Sequence, residues 1–446
     1  MQTDVEQQRA GQHSRFINPN FQRLWFGLSL SGLGDSIFEV TLTVWIASKL
    51  AEGRDWSALA VTGLLVASAI PVLLVGPIAG ALIDRWPNKR RVMLRADLMS
   101  AGLILLLIPA AQVISIPGVD DLPLWWRLGA IFLVVLLASA VAQFFRPASS
   151  VLTRDIVPAE DLPRASSLFQ ASSNFTILIG PSLAAPVLFA FGAAWALLFN
   201  ALSFIASFLL VRSMRYAPPG PESPEDVTAT PQAIRDDIRD GFRFFVNSPA
   251  FSILAVSFVV VMIGLGAMNT LEIFFVTENL SAPAKYFGFM VSVQGAAMVV
   301  GSLLWGRVIE RIGPPRAFWI GIIGIGIGTM IYARLTSFEA GLVASAAFGL
   351  VVPAVNVSMG PIMYRLTPRE YIGRVSATLN PLIQGSMMIG LFGGGLLYST
   401  VMRNFSATFG GVHFGPIDTI YLGVGILCIL GGLNARRLRL PETPAE

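Results

Sequence analysis

Twelve stretches of the chain are apolar over the length of a membrane crossing, with short polar segments between them. They cover residues 22–48, 58–83, 92–115, 124–144, 166–188, 190–212, 250–275, 286–309, 316–334, 340–362, 373–400 and 417–436. About twenty apolar residues wound as a helix cross roughly 30 Å of hydrocarbon. Each stretch is expected to be helical, because an unpaired backbone group in lipid costs several kcal/mol and a helix pairs its own groups. A membrane β-barrel would instead show alternating strands of about ten residues. The expected fold class is an all-α polytopic membrane protein with twelve transmembrane helices.

The polar segments divide by charge. With the first segment placed inside, the inside segments carry 25 of the 31 lysines and arginines. Among them are the cluster Arg85 to Arg95, then Arg146, Arg154 and Arg164. Lys49, Arg54, Arg127, Lys285, Arg334 and Arg403 remain outside. Cations are retained on the cytoplasmic side of membrane proteins, so both termini are expected in the cytoplasm. Trp125 and Trp126 fit an interfacial belt at the outer end of the fourth span. The first apolar run follows a polar start and is too long for a signal sequence, so it is expected to persist as a span. The short-looped plan suggests a bacterial inner (plasma) membrane.

The chain also repeats itself. Gly80-Ala-Leu-Ile-Asp84-Arg85, followed by Lys89-Arg90-Arg91, ends the second run, and Gly306-Arg-Val-Ile-Glu310-Arg311, followed by Arg316, ends the eighth. Gly80, Asp84, Arg85 and Arg90 align with Gly306, Glu310, Arg311 and Arg316 at one constant offset. A second correspondence pairs Pro158, Glu160, Arg164 and Gly180 with Pro368, Glu370, Arg374 and Gly390. Two six-helix bundles related by an axis along the membrane normal follow from such a repeat. The expected domains are residues 1–212, a linker over 213–249 and residues 250–446. Within the linker, Ile234, Ile238, Phe242 and Phe245 recur at helical spacing among charges, which predicts an amphipathic helix on the inner membrane face or the bundle.

Composition narrows the function. The chain is 54% hydrophobic and 13% charged, against about 25% charged in soluble domains. Its net charge of +4 belongs to the loops and forms no nucleic-acid recognition module. One cysteine and two histidines leave no credible metal cluster. No phosphate-binding Gly-x4-Gly-Lys motif occurs, and no nucleophile and base are paired. No cofactor and no enzymatic activity are expected.

The Gly80–Arg91 stretch resembles the signature of the major facilitator superfamily, carried in the loop between helices two and three. Asn18-Pro19-Asn20-Phe21, Leu33-Gly34-Asp35, Val157-Pro158-Ala159-Glu160, Leu202-Ser203-Phe204 and Gly373-Arg374-Val375 are similar to its bacterial branch of drug, macrolide and siderophore (enterobactin-type) exporters. The resemblance spans about residues 18–436. It implies the twelve-helix, two-bundle fold and secondary transport of small molecules. It also implies that Asp84 faces the start of helix eleven near Gly373, with Asp97 and Arg374 as network partners, so that the contact closes the inner side. The chain departs from the pattern at Pro87, where a glycine is usual, and lacks the Arg-x-x-Gln-Gly motif of helix four, which leaves the usual proton-transfer arginine unassigned. Ile179-Gly180-Pro181-Ser182 resembles the antiporter motif of helix five.

Physical readings stand beside these. Gly80 permits close approach of another helix. A carboxylate at Asp84 is favoured at a helix N-terminus by about 0.3–1 kcal/mol. Pro181 removes a helix hydrogen bond. Lys89, Arg90 and Arg91 also read as a solvated loop obeying the charge rule. Within the spans, Asp35 and Glu39 lie one turn apart on one face, and Glu272 follows Asn269 by three residues in the seventh run. A charge at the bilayer centre costs at least about 2.5–3.5 kcal/mol, so such residues usually face a cavity and work. Asp35 also reads as a hydrogen-bonding link between helices. The expected function is proton-coupled export of amphipathic organic compounds by a monomer bathed in lipid. The rival readings are a metabolite or lysolipid facilitator or importer, and a scaffold or sensor that moves nothing.

Overall fold

A computed structural model of the chain describes residues 17–86, 88–110, 123–216, 248–367, 372–409 and 412–438. Twelve helices in it are long and apolar enough to cross a membrane. In chain order they are α1 (Pro19–Trp45, running on through Ile46–Leu50), α2 (Ser57–Leu74, continued by Gly76–Arg85), α3 (Lys89–Ala110), α4 (Leu124–Ile156), α5 (Leu162–Phe191) and α6 (Ala193–Arg212). The second set is α7 (Pro249–Phe274, running on through Phe275–Asn279), α8 (Phe287–Ile312), α9 (Pro314–Tyr332), α10 (Phe338–Val351, continued by Pro353–Leu366), α11 (Ile372–Leu396, running on through Leu397–Val401) and α12 (Pro416–Ala435). The breaks in α2 and α10 fall just before Pro77 and Pro353, each of which lacks the N–H that would continue the ladder. The expected amphipathic helix over 231–246 and the Pro368–Glu370 part of the repeat lie outside the described residues.

One expected boundary is wrong. The fourth span does not stop at residue 144; α4 continues without a break to Ile156. Arg146 and Arg154, read from sequence as loop cations, are helical residues. Pro147 and the charges suggested a helix end, but beyond them Ala148, Ser149, Leu152 and Thr153 are buried against neighbouring helices, and that packing carries the helix on.

The two halves repeat each other in their packing. α1 packs on α5 and α6, α3 on α4 and α6, and α2 on α4; α7 packs on α11 and α12, α9 on α10 and α12, and α8 on α10. The second set is the first displaced by six helices. Side-chain-free positions repeat as well. A Cβ at Gly180 would run into Ser36 on α1, and one at Gly390 into the Ile263 backbone on α7. The two halves meet along α2–α11 and α5–α8, contacts that the same six-helix displacement interchanges.

Two ends of the bundle can be distinguished. One, the terminal face, carries Pro19, Ile156, Arg212 and Ala435; the far face carries Leu50, Asn279 and Val401. The close approaches between halves gather toward the far face. There Gly395 of α11 sits against Thr62 of α2, Gly288 of α8 against the Pro181 carbonyl and Ala185 of α5, and Asp55 pairs with Arg403. On the same face Asp418 accepts from the Gly415 amide at 3.1 Å, from Arg334 at 3.3 Å and from Asn279. This ties the ends of α7, α9 and α12 to the small hairpin of β1 (Ala407–Phe409) and β2 (Val412–Phe414).

The terminal face is pinned within the first half. Asn18 caps α1, accepting the Phe21 amide at 2.8 Å, and donates to the Ile156 carbonyl at the end of α4 at 2.7 Å. Asn20 exchanges hydrogen bonds with the Arg215 backbone beyond α6. The Tyr216 hydroxyl donates to Asp155 at 2.6 Å. Burial, then the bond to the Asp155 carboxylate and its charge, hold this phenol above its ordinary range, so it stays a donor. Asn18→Ala is expected to destabilise the protein by about 1–2 kcal/mol, one cap and one further hydrogen bond. A lowered unfolding midpoint in detergent checks this; an unchanged midpoint would remove Asn18 as a pin.

Candidate functional site: two polar cavities inside the helix bundle

Gly34 sets up the first cavity. A Cβ there would collide with Ser203 and Asn200 of α6, so its absence lets α6 close on α1 and puts Asn200 beside Asp35. Asp35 and Glu39 point into open space rather than into packing, and both line a cavity of about 870 Å³ walled by α1, α3, α4, α5 and α6. Hydroxyl side chains dominate the wall. Ser29 and Ser172 bond across it at 2.9 Å. The cavity reaches the terminal face at Arg154 and Leu162.

Two further charges belong to this site. Arg146 lines it from α4, close enough to Asp35 to act on it electrostatically. Asp97 lines it from α3 and is 1% exposed; its Oδ2 accepts from Ser207 of α6 at 2.8 Å, while Oδ1 makes no hydrogen bond. Asp35 is close enough to act on it electrostatically. The structure thus places Asp97 with the Asp35 cluster in the first half. Asn200 of α6 lies within hydrogen-bonding reach of Asp35, so Asp35 both lines the cavity and links α1 to α6.

The second cavity, about 210 Å³, lies in the second half and contains Asn269 and Glu272 of α7. Their three-residue spacing does bring both to one wall. The two cavities share no lining residue, so Glu272 is not part of the Asp35–Glu39 cluster. Gln294 and Ser345 complete its polar edge.

The signature residues divide. Gly80, Asp84 and Arg85 end α2, and Gly306, Glu310 and Arg311 end α8, at the same face. The side chains of Asp84, Arg85 and Arg374 lie outside the described residues. Lys89 donates to the Ile83 carbonyl at 2.7 Å, and Arg90 to the Val211 carbonyl at 3.0 Å and to that of Arg212. Both therefore satisfy helix-end carbonyls of their own half. Arg91, Glu310, Arg311 and Arg316 are exposed. The close approach expected at Gly80 is absent: among the described residues a Cβ there would meet nothing within 4 Å, and the same holds at Gly306. Gly313, at the position equivalent to Pro87, has φ +83°. Proline is locked near −65° and does not adopt that conformation; Pro87 itself lies outside the described residues. In helix five, Gly180 contacts α1 and Pro181 contacts α8.

A family model described as Major Facilitator Superfamily matches residues 24–281 and 262–446. The chain belongs to this superfamily. Among relatives, the multidrug efflux pump Tap of Mycolicibacterium fortuitum is 24% identical over 82% of this chain and 86% of its own length. The enterobactin exporter EntS of Escherichia coli O1:K1 / APEC is 22% identical over 96% and 95%. A bacterial homologue of the iron transporter ferroportin, solved in an inward-facing state, superposes with a TM-score of 0.70 over 94% of this chain and 98% of that one at 16% identity; this likeness concerns the fold. The superfamily member described here is a multipass membrane transporter, not an enzyme.

Arg146 is the residue that sequence reasoning missed. Ala142, Arg146, Ser149 and Thr153 fall on one helical face, and all four line the cavity. That small, polar stripe was the available signal, masked by Pro147.

Proposed function

We propose that this transporter exports amphipathic organic compounds in exchange for protons by alternating access. Its orientation in a bacterial inner membrane puts the terminal face in the cytoplasm, and the monomer is the working unit. The observation that carries the reading is the Asp35, Glu39, Asp97 and Arg146 cluster in a cavity reaching the terminal face, while the seam between halves is closed at the far face. Three carboxylates at bilayer depth, opposed by Arg146 and by Arg154 at the cavity mouth, cannot all stay charged cheaply. They therefore suit a site that takes up and releases protons as its access to water changes. Arg146 stands in helix four, where the missing motif would have supplied its arginine, and is the group against which Asp35 exchanges its proton. Rocking about the α2–α11 and α5–α8 seam would close the terminal face and open the far one. Efflux activity among relatives such as Tap and EntS supports the export direction.

The test is reconstitution in liposomes with an acidic lumen. Antiport predicts that a fluorescent amphipathic compound accumulates above its equilibrium level as protons leave. Movement that stops at equilibrium would make the protein a facilitator. No movement of cationic or neutral amphiphiles would remove the exporter reading for these substrates.

A further inference from the structure

The two cavities differ in how their charge is balanced. The first-half cavity sets Asp35, Glu39 and Asp97 against Arg146 and Arg154. The second-half cavity holds one carboxylate, Glu272, and no lysine or arginine lines it. Among the described residues Glu272 makes neither an ion pair nor a side-chain hydrogen bond. A carboxylate at this depth is either protonated or paired with a counter-charge, and no lysine or arginine lining this cavity supplies one.

The remaining walls show what would accompany that charge. Met268, Met298 and Met387 surround the cavity; thioethers are polarizable and adapt to varied apolar shapes. Tyr332 and Phe348 give it an aromatic side, and aromatic faces attract cations. The Tyr332 hydroxyl is already engaged, 3.5 Å from Met290 Sδ, so the residue serves the cavity as a ring rather than as a proton donor. Asn269 is exposed at the edge of this cavity. A volume of about 210 Å³ is below the roughly 300–1,000 Å³ of pockets that enclose a whole drug-sized ligand.

We propose that this cavity seats the cationic head group, a protonated or quaternary amine, of the transported compound. Glu272 is its counter-ion, the methionines and rings hold the adjoining carbons, and the rest of the molecule lies between the halves. Glu272 is thereby a substrate-binding group, while proton exchange belongs to the Asp35 cluster. The inference deepens the transporter reading and rests on it.

Equilibrium binding to the purified full chain in nanodiscs tests the site without any gradient. The probes are a fluorescent trimethylammonium compound and its neutral tert-butyl isostere, which share size and shape. The native protein is expected to bind the cation at least about tenfold more tightly than the isostere. Glu272→Gln is expected to bind the two equally, with affinity for the isostere retained, which shows that the variant is folded. Glu272→Asp should keep part of the preference. Equal binding by the native protein, a preference that survives Glu272→Gln, or no binding of either probe each overturns the proposal. Cation binding through Glu272 without gradient-driven movement would instead sink the exporter reading and leave the site. Gradient-driven export of the neutral isostere, with no cation preference, would do the reverse.

Discussion

Asp35→Asn is expected to lower gradient-driven accumulation to the level of protein-free liposomes, while substrate exchange at equal pH on both sides continues. Asparagine copies the shape of the protonated carboxyl but can neither release nor gain the proton. The variant should fold, because Asp35 projects into open cavity space and its loss leaves Arg146 in contact with water rather than stranded in packing. The two transport modes are compared in one preparation. Equal loss of both would point to a structural role for Asp35, and no loss of either would remove it from the coupling site. Arg146→Gln should also depress the driven mode, since it takes away the charge that opposes reprotonation of Asp35. Glu272→Gln should depress movement of a cation in both modes, which separates a binding residue from a coupling residue.

Gly395→Leu is expected to open the far face. A Cβ at Gly395 would overlap Thr62 of the opposite half and lie 3.3 Å from Thr270, so a leucine cannot be housed while α2 and α11 remain closed. Overpacking of this kind costs about 1–3 kcal/mol. Because only the far-closed state bears that cost, the ratio of the two states should shift by roughly 5- to 150-fold. Spin labels on Glu160→Cys and Glu310→Cys, both exposed near the terminal face of opposite halves, report the change in a Cys428→Ala background. Their distance distribution should move to shorter values as that face closes. Gly393→Leu is the control, since a Cβ there meets nothing within 4 Å and should leave the distribution unaltered. If Gly395→Leu matched this control, the α2–α11 contact would not be the seam on which the halves turn.

Much of the architecture was legible in the residues. Twelve apolar runs with segregated cations leave few alternatives, because lipid forbids unpaired backbone and so ties hydropathy directly to helices. The duplication was also legible, since the residues around Gly80 and Gly306, and those around Gly180 and Gly390, each align at a locally constant offset. The i, i+4 pair Asp35 and Glu39 and the i, i+3 pair Asn269 and Glu272 each share a cavity wall, as a single helix dictates. Those statements concern neighbours along one element, whose relative positions the helical repeat fixes.

The rest was settled by contacts between elements distant in sequence. Composition does not show that Asp97 of α3 and Arg146 of α4 converge on Asp35 of α1, because that depends on how closely α6 is drawn in at Gly34. Pattern placed Glu272 in one list with Asp35; packing put it in a separate, arginine-free cavity. Lys89 and Arg90 looked like loop charges, yet Lys89 closes the end of the helix just before it, and Arg90 closes carbonyls at the end of α6 that only the fold brings within reach. The sequence by itself determined which segments cross the membrane and that they come as two copies, since both follow from the cost of leaving polar groups in hydrocarbon. Which charges share a cavity, and which face of the bundle is shut, was decided by tertiary structure, because side-chain-free glycines set how near each pair of helices can come.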